Sequence, residues 1–125
     1  MNYYTKFSFK VSGEQRHLQR LVDIIRDTAE ETDFGLDCDL SLQARVLSIW
    51  TDESGDVDVL VQAIAYWQKL FKIDEPVGFE WINDADKPTD DAYGGGAVVI
   101  HKGKCKWLNT GAWLSNQMEK AGRKK

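Results

Sequence analysis

Four aspartates, Asp84, Asp86, Asp90 and Asp91, fall within eight residues of one another. A run of this kind is either a cation loop or a charged surface. A calcium loop wants regularly spaced acids, a mid-loop glycine and a closing glutamate. Lys87 and Pro88 interrupt this one and no glutamate closes it, so the spacing favours a solvated or partner-facing loop. His17 and His101 are the only histidines, and neither has a Ser or Cys and an acid beside it in any triad order. Glu80, between Phe79 and Trp81, reads as an outward-facing strand carboxylate. Gly94-Gly95-Gly96 offers backbone N–H groups to an anion, yet it precedes a strand and no Gly-rich nucleotide fingerprint is present, Gly103-Lys104 being followed by Cys105. Close backbone packing under an aromatic, or a hinge, is the expected role. Cys38 and Cys105 lie in apolar runs with no CxxC or Cys/His cluster, which argues against zinc. Their expected role is that of thiols in a reducing compartment, and whether they pair is left open. No nucleophile, base and stabiliser can be assembled. The expectation is a protein that binds, without catalysis, cofactor or metal.

The elements that must position these residues belong to one domain of 125 residues. The net charge of −4 hides a strong asymmetry. Ten acids and the single base Arg45 lie between Asp27 and Asp58, whereas seven bases and only Glu119 follow from Lys102 onward. The N-terminal residues alternate rather than forming an apolar targeting segment, and no apolar run approaches the ~20 residues that span a membrane. A cytoplasmic setting is expected.

Alternation from Tyr3 to Val11 predicts a first strand. Ser12-Gly13-Glu14-Gln15 has the form of a capping box, and Leu18, Leu21, Val22, Ile25 and Ala29 predict a helix over about 13–31, with His17 on its exposed side. Leu36 to Leu42 and Arg45 to Thr51 predict a hairpin. Leu60, Ala63, Ile64, Trp67 and Phe71 predict a second helix over about 56–72. Val77 to Ile82 predicts a fourth strand. The order β-α-β-β-α-β predicts an α+β, ferredoxin-like antiparallel sheet complete by Ile82, with both helices on one face. Residues 83–125 are then an extension: a polar loop over 83–96, a β-hairpin around His101–Lys104, and a short helix capped by Asn109 or Thr110 with Trp113, Leu114, Gln117 and Met118 along one side. That extension is expected to cover the sheet's open face with its tryptophans.

The words GFEW, YGGGAVVI and KWLNTGAWL, spread over Gly78–Leu114, resemble the C-terminal part of small proteins carried by phages, plasmids and integrated elements. The resemblance implies a ferredoxin-like domain with a C-terminal extension, an accessory role for a mobile element, and no catalytic residues. Compact acidic proteins of such elements include inhibitors of host defence, anti-CRISPR proteins among them. On that basis the expected partner is a host protein or ribonucleoprotein, met by the acidic set Asp84, Asp86, Asp90, Asp91 and Tyr93, helped by Asp37, Asp39, Asp52 and Glu53. The alternative expectation is a nucleic-acid module using Lys102, Lys104, Lys106 and Trp107.

Overall fold

The computed structural model describes residues 3–31, 38–51, 55–85 and 94–123. In chain order these form β1 (Tyr3–Ser12), α1 (Gln15–Glu30), β2 (Asp39–Gln43), β3 (Val46–Thr51), α2 (Val57–Phe71), β4 (Val77–Ala85), β5 (Gly94–His101), β6 (Lys104–Asn109) and α3 (Thr110–Arg123). The strands make one antiparallel sheet in the order β2-β3-β1-β4-β5-β6.

That sheet corrects the expectation of a four-stranded ferredoxin-like sheet carrying an appendage. β5 is an interior strand, registered on β4 through seven residue pairs from Val77↔Ile100 to Asn83↔Gly94. It supplies Val98 and Ile100 to the core. A sheet that ended at β4 would leave a row of N–H and C=O groups unpaired along that strand. The alternation Val98, Ile100 places two apolar side chains on the core face as β5 satisfies that row. The pairing also draws Asn83–Ala85 and Gly94–Gly96, assigned to the loop on polarity, into strands. The intervening Asp86–Tyr93 lies outside the described residues.

The capping box is also corrected. The N-cap of α1 is Glu14, with no side-chain cap bond. Ser12 is taken up by β1, where it pairs with Val46, and the Gly13 N–H donates to the Arg45 carbonyl. At α2 an acidic cap is present, the Asp56 Oδ1 accepting from the Val59 N–H at 3.1 Å.

α1 and α2 pack on each other and cover one face of the sheet, α1 over β2 and β3 and α2 over β5 and β6. Leu18, Leu21, Ile25, Leu47, Ile49 and Ile64 are fully buried between the layers. Phe9 of β1 stacks on Phe79 of β4 with ring centroids 4.1 Å apart. Trp67 is buried, and its Nε1–H donates to the His17 carbonyl at 2.8 Å, tying the two helices together. His17 itself is half-buried against Phe71, with centroids 5.0 Å apart, and so is not the exposed residue expected from helical spacing.

One buried amide had no counterpart among the sequence expectations. Gln68 is 1% exposed. Its Nε2 donates to the Ile100 carbonyl at 2.8 Å and the Glu75 carbonyl at 3.3 Å, while its Oε1 accepts from the Gly103 N–H at 3.0 Å. One side chain thereby joins the end of α2 to the β5–β6 turn and to the segment entering β4.

The two hairpins turn differently. Lys102 and Gly103 both have positive φ, 53° and 78°, the primed geometry that suits a two-residue turn between twisted strands. In the β2–β3 turn, Ala44 holds φ 54°, a conformation that an L side chain disfavours by about 1–2 kcal/mol. Glycine loses more entropy on folding, so Ala44→Gly is expected to stabilise the protein by a net ~0.5 kcal/mol. Urea denaturation checks this; a loss of stability would mean that the turn is not strained.

No helix among the described residues is long and apolar enough to cross a membrane.

Candidate functional site

With both packed helices on one face, strand alternation leaves the other face of the sheet uncovered. Along β1 this face carries Tyr4, Lys6, Ser8 and Lys10, and along β4 Gly78, Glu80, Ile82 and Asp84. The registers extend it sideways: Ser8↔Trp50↔Asp39 and Lys10↔Ser48↔Ser41 on one side, Glu80↔Ala97↔Leu108 and Gly78↔Val99↔Lys106 on the other. At ~4.8 Å per strand the six strands make a platform roughly 24 Å wide.

Large apolar side chains lie on it. Ile82, Val99 and Leu108 retain 58%, 47% and 49% of their surface, and Trp50 retains 38%. Ile82, Val99 and Leu108 sit on three adjacent strands with Ala97 between them. The expectation that the C-terminal tryptophans cover this face is therefore corrected: Trp107 pairs with Val98 on the helix-bearing side, and Trp113 is exposed on α3.

Charge is unevenly spread over the platform. The end nearest the two hairpin turns carries Lys10, Lys104, Lys106 and His101, without an acid in its registered rows. Asp39 and Glu80 lie one row further along, level with Trp50 and with Ala97 and Leu108, and Asp84 lies toward the opposite end. Depressions mark the lysine-bearing end, among them one of about 310 Å³ in which Glu75 lies with Lys10. Another, of about 550 Å³, lies among Lys10, Ser41, Gln43, Ala44, Val46, Ser48 and Trp50. A smaller one of about 230 Å³ lies among Pro76, Val99, His101, Lys104 and Lys106. The His101 Nε2 is 2.8 Å from the Asp74 carbonyl oxygen; since that oxygen only accepts, Nε2 carries the proton.

Of the acidic set expected to meet a partner, Asp37, Asp52, Glu53, Asp86, Asp90, Asp91 and Tyr93 lie outside the described residues. The two that are described, Asp39 and Asp84, both lie on the uncovered face. Asp84 belongs to β4 rather than to a loop, and its Oδ2 accepts from Lys6 Nζ at 3.2 Å, with that ammonium 5.6 Å from the centre of the Tyr4 ring. The two side chains are 35% and 40% exposed, where such bridges contribute little to stability, but the pair tempers the charge that Asp84 presents.

The nucleic-acid set is divided by β6. Lys104 and Lys106 point to the uncovered face. Trp107, one position out of phase, points to the other, where its ring meets Trp81 edge-on at 5.9 Å. Lys102 is in the turn. Lys10, Trp50 and His101 instead share the face of Lys104 and Lys106, a grouping invisible to local spacing because it joins β1, β3, β5 and β6.

Other sequence readings have structural answers. Each residue of the triple glycine is crowded or turned: Gly94 holds φ 132° with Thr110 Oγ1 beside it, Gly95 abuts the Trp81 carbonyl, and Gly96 lies between the Leu108 carbonyl and the Trp81 indole. Close packing under an aromatic, rather than an anion cradle, explains Gly96. Cys38 and Cys105 are half-buried and form no disulfide, and they lie at opposite edges of the sheet, too far apart for a disulfide within one chain. Glu80 is exposed, as expected. Among the described residues no group of three His, Cys, Asp or Glu side chains converges on a metal position.

No family model, no curated protein and no solved structure matches this chain.

Proposed function

We propose that this chain is a non-enzymatic binding protein whose contact surface is the uncovered face of its sheet, and that its partner is another protein. The observation that carries this reading is the contiguous strip Ile82, Ala97, Val99 and Leu108, exposed on three neighbouring strands. Contiguous apolar surface of this kind marks interaction sites, and protein partners, unlike phosphate backbones, bury aliphatic groups at the centre of their contacts. Asp39 and Glu80 at mid-platform, Asp84 toward one end and Lys10, Lys104 and Lys106 toward the other supply charges of both signs that set orientation. A cytoplasmic setting accords with two cysteines that form no disulfide. Inhibition of a host protein or ribonucleoprotein, the role implied by the resemblance of Gly78–Leu114, would use this surface together with the acidic residues around it.

A second reading is favoured by the lysine-rich end of the platform and the aromatic ring beside it. Lys10, Lys104, Lys106, Trp50 and His101 resemble the lysine-and-aromatic tracks along which single strands lie.

One experiment separates the two. The tagged chain is used to capture partners from cells of its source, beside Ile82→Ser/Val99→Ser/Leu108→Ser and Lys10→Ala/Lys104→Ala/Lys106→Ala. The serine variant is expected to lower capture of the principal protein at least tenfold with the fold intact, these side chains being half-exposed already. Unchanged capture removes the protein reading. Binding of a single-stranded oligonucleotide that weakens steeply with salt and vanishes in the lysine variant would install the second.

A further inference from the structure

α3 is the amphipathic element that the body of the protein leaves bare. Every position from Thr110 to Gly122 is exposed, and Trp113, Leu114 and Met118, on one side of the helix, keep 55%, 56% and 68% of their surface. Fourteen residues with glycine at 111 and 122 make a marginal helix in water, where packing of the apolar side ordinarily supplies the stability. The chain's own sheet does not supply it. Thr110 Oγ1 accepts from the Gly95 N–H at 2.9 Å and donates to the Gly95 carbonyl at 3.0 Å. Asn109, still paired with Gly96 in the sheet, caps the helix by accepting from the Ala112 N–H at 3.0 Å. Strand passes into helix with no residue of slack, so α3 cannot fold back over the platform without losing its cap and its anchor.

Charge identifies what covers it. Thr110–Lys125 contains four bases and one acid, whereas the other 109 residues contain twelve bases and nineteen acids. A basic, apolar-striped helix on an acidic body is complementary to another body of the same kind. The helix is also graded in size, with Trp113 and Leu114 near its start and Ala121 and Gly122 near its end. We propose that α3 pairs antiparallel with α3 of a second copy, the bulky end of each helix meeting the small end of the other. In that arrangement the basic end of each helix also meets the helix-start end of its partner, the end of the sheet at which Asp84 of β4 lies. Such a contact is isologous, the same patch serving both copies. A helix of 14 residues is about 21 Å long, so the area falls at the low end of specific interfaces and the dimer dissociates at roughly 10 μM.

Sedimentation of the full chain from 1 to 500 μM tests this. The expected result is a reversible monomer–dimer equilibrium, weakened several-fold between 0.05 and 0.5 M salt, and shifted at least twentyfold toward monomer by Trp113→Ser/Met118→Ser and by Lys120→Glu/Arg123→Glu. Gln117, at mid-helix on the apolar side, lies next to its own mate in an antiparallel pair, so Gln117→Cys should cross-link under mild oxidation where the parent chain does not. A monomer throughout, a dimer indifferent to these substitutions or to salt, or a dimer that Gln117→Cys fails to cross-link would overturn the proposal. This outcome is independent of which partner the platform binds, because no platform residue is changed.

Discussion

Gly96→Ala is expected to destabilise the protein by about 3 kcal/mol, although it adds a single methyl group. A Cβ at this position would press into the Leu108 carbonyl of β6 on one side and stand 2.5 Å from the Trp81 indole on the other. A flexible side chain facing an added methyl can rotate away. Here one obstacle is backbone held in the ladder at Gly96↔Asn109 and Ala97↔Leu108, and the other is a ring flanked by Phe79 and Trp107. The strain of overpacking is typically 1–3 kcal/mol, and the fixed obstacles place this variant at the upper end. For a domain of this size the melting temperature should fall by roughly 10 °C. Amide exchange should locate the weakening in β5 and β6, because these strands must separate to admit the methyl group. A melting temperature within 2 °C of the parent would show that the sheet edge yields more readily than its hydrogen bonds imply.

Gln68→Leu, which nearly preserves volume, is expected to lower stability by a comparable amount, about 3 kcal/mol. The Ile100 carbonyl, the Glu75 carbonyl and the Gly103 N–H would lose their partner in the interior. Each buried polar group left unmatched costs about 1–3 kcal/mol. Hydrophobic gain from the leucine offsets part of this, since the side chain remains in an apolar layer. Chemical denaturation of Gln68→Leu beside Leu60→Met, a volume-preserving change elsewhere on α2, separates the polar loss from general core disturbance. If both variants lose the same small amount, the amide is not the clasp described. If Gln68→Leu alone is strongly affected and its Gly103 amide exchanges early, the clasp is established.

Both effects concern how β5 and β6 join the rest of the molecule, which is also where legibility in the sequence ends. Element types and most boundaries were readable because they rest on short-range periodicity. Alternation marks β1, and the i, i+3, i+4, i+7 spacing of Leu60, Ala63, Ile64 and Trp67 marks α2. The turn at Lys102-Gly103 is marked by its glycine. The Asp56 cap is local in the same sense. Ser12 shows the limit of that logic: its capping box is as good a local signal as Asp56, but a ladder bond to β3 claims the residue first.

The sequence by itself determined that this is an α+β chain of alternating strands with two amphipathic helices, divided into an acidic body and a basic end. Only the tertiary structure decided that the last hairpin completes the sheet, that Lys10 and Trp50 share a face with Lys104 and Lys106 while Trp107 does not, and that α3 stands clear of the body. Periodicity is a property of neighbours in the chain. Strand order, register and the facing of distant side chains follow from satisfying backbone hydrogen bonds along a shared edge, and residues far apart in sequence settle that jointly.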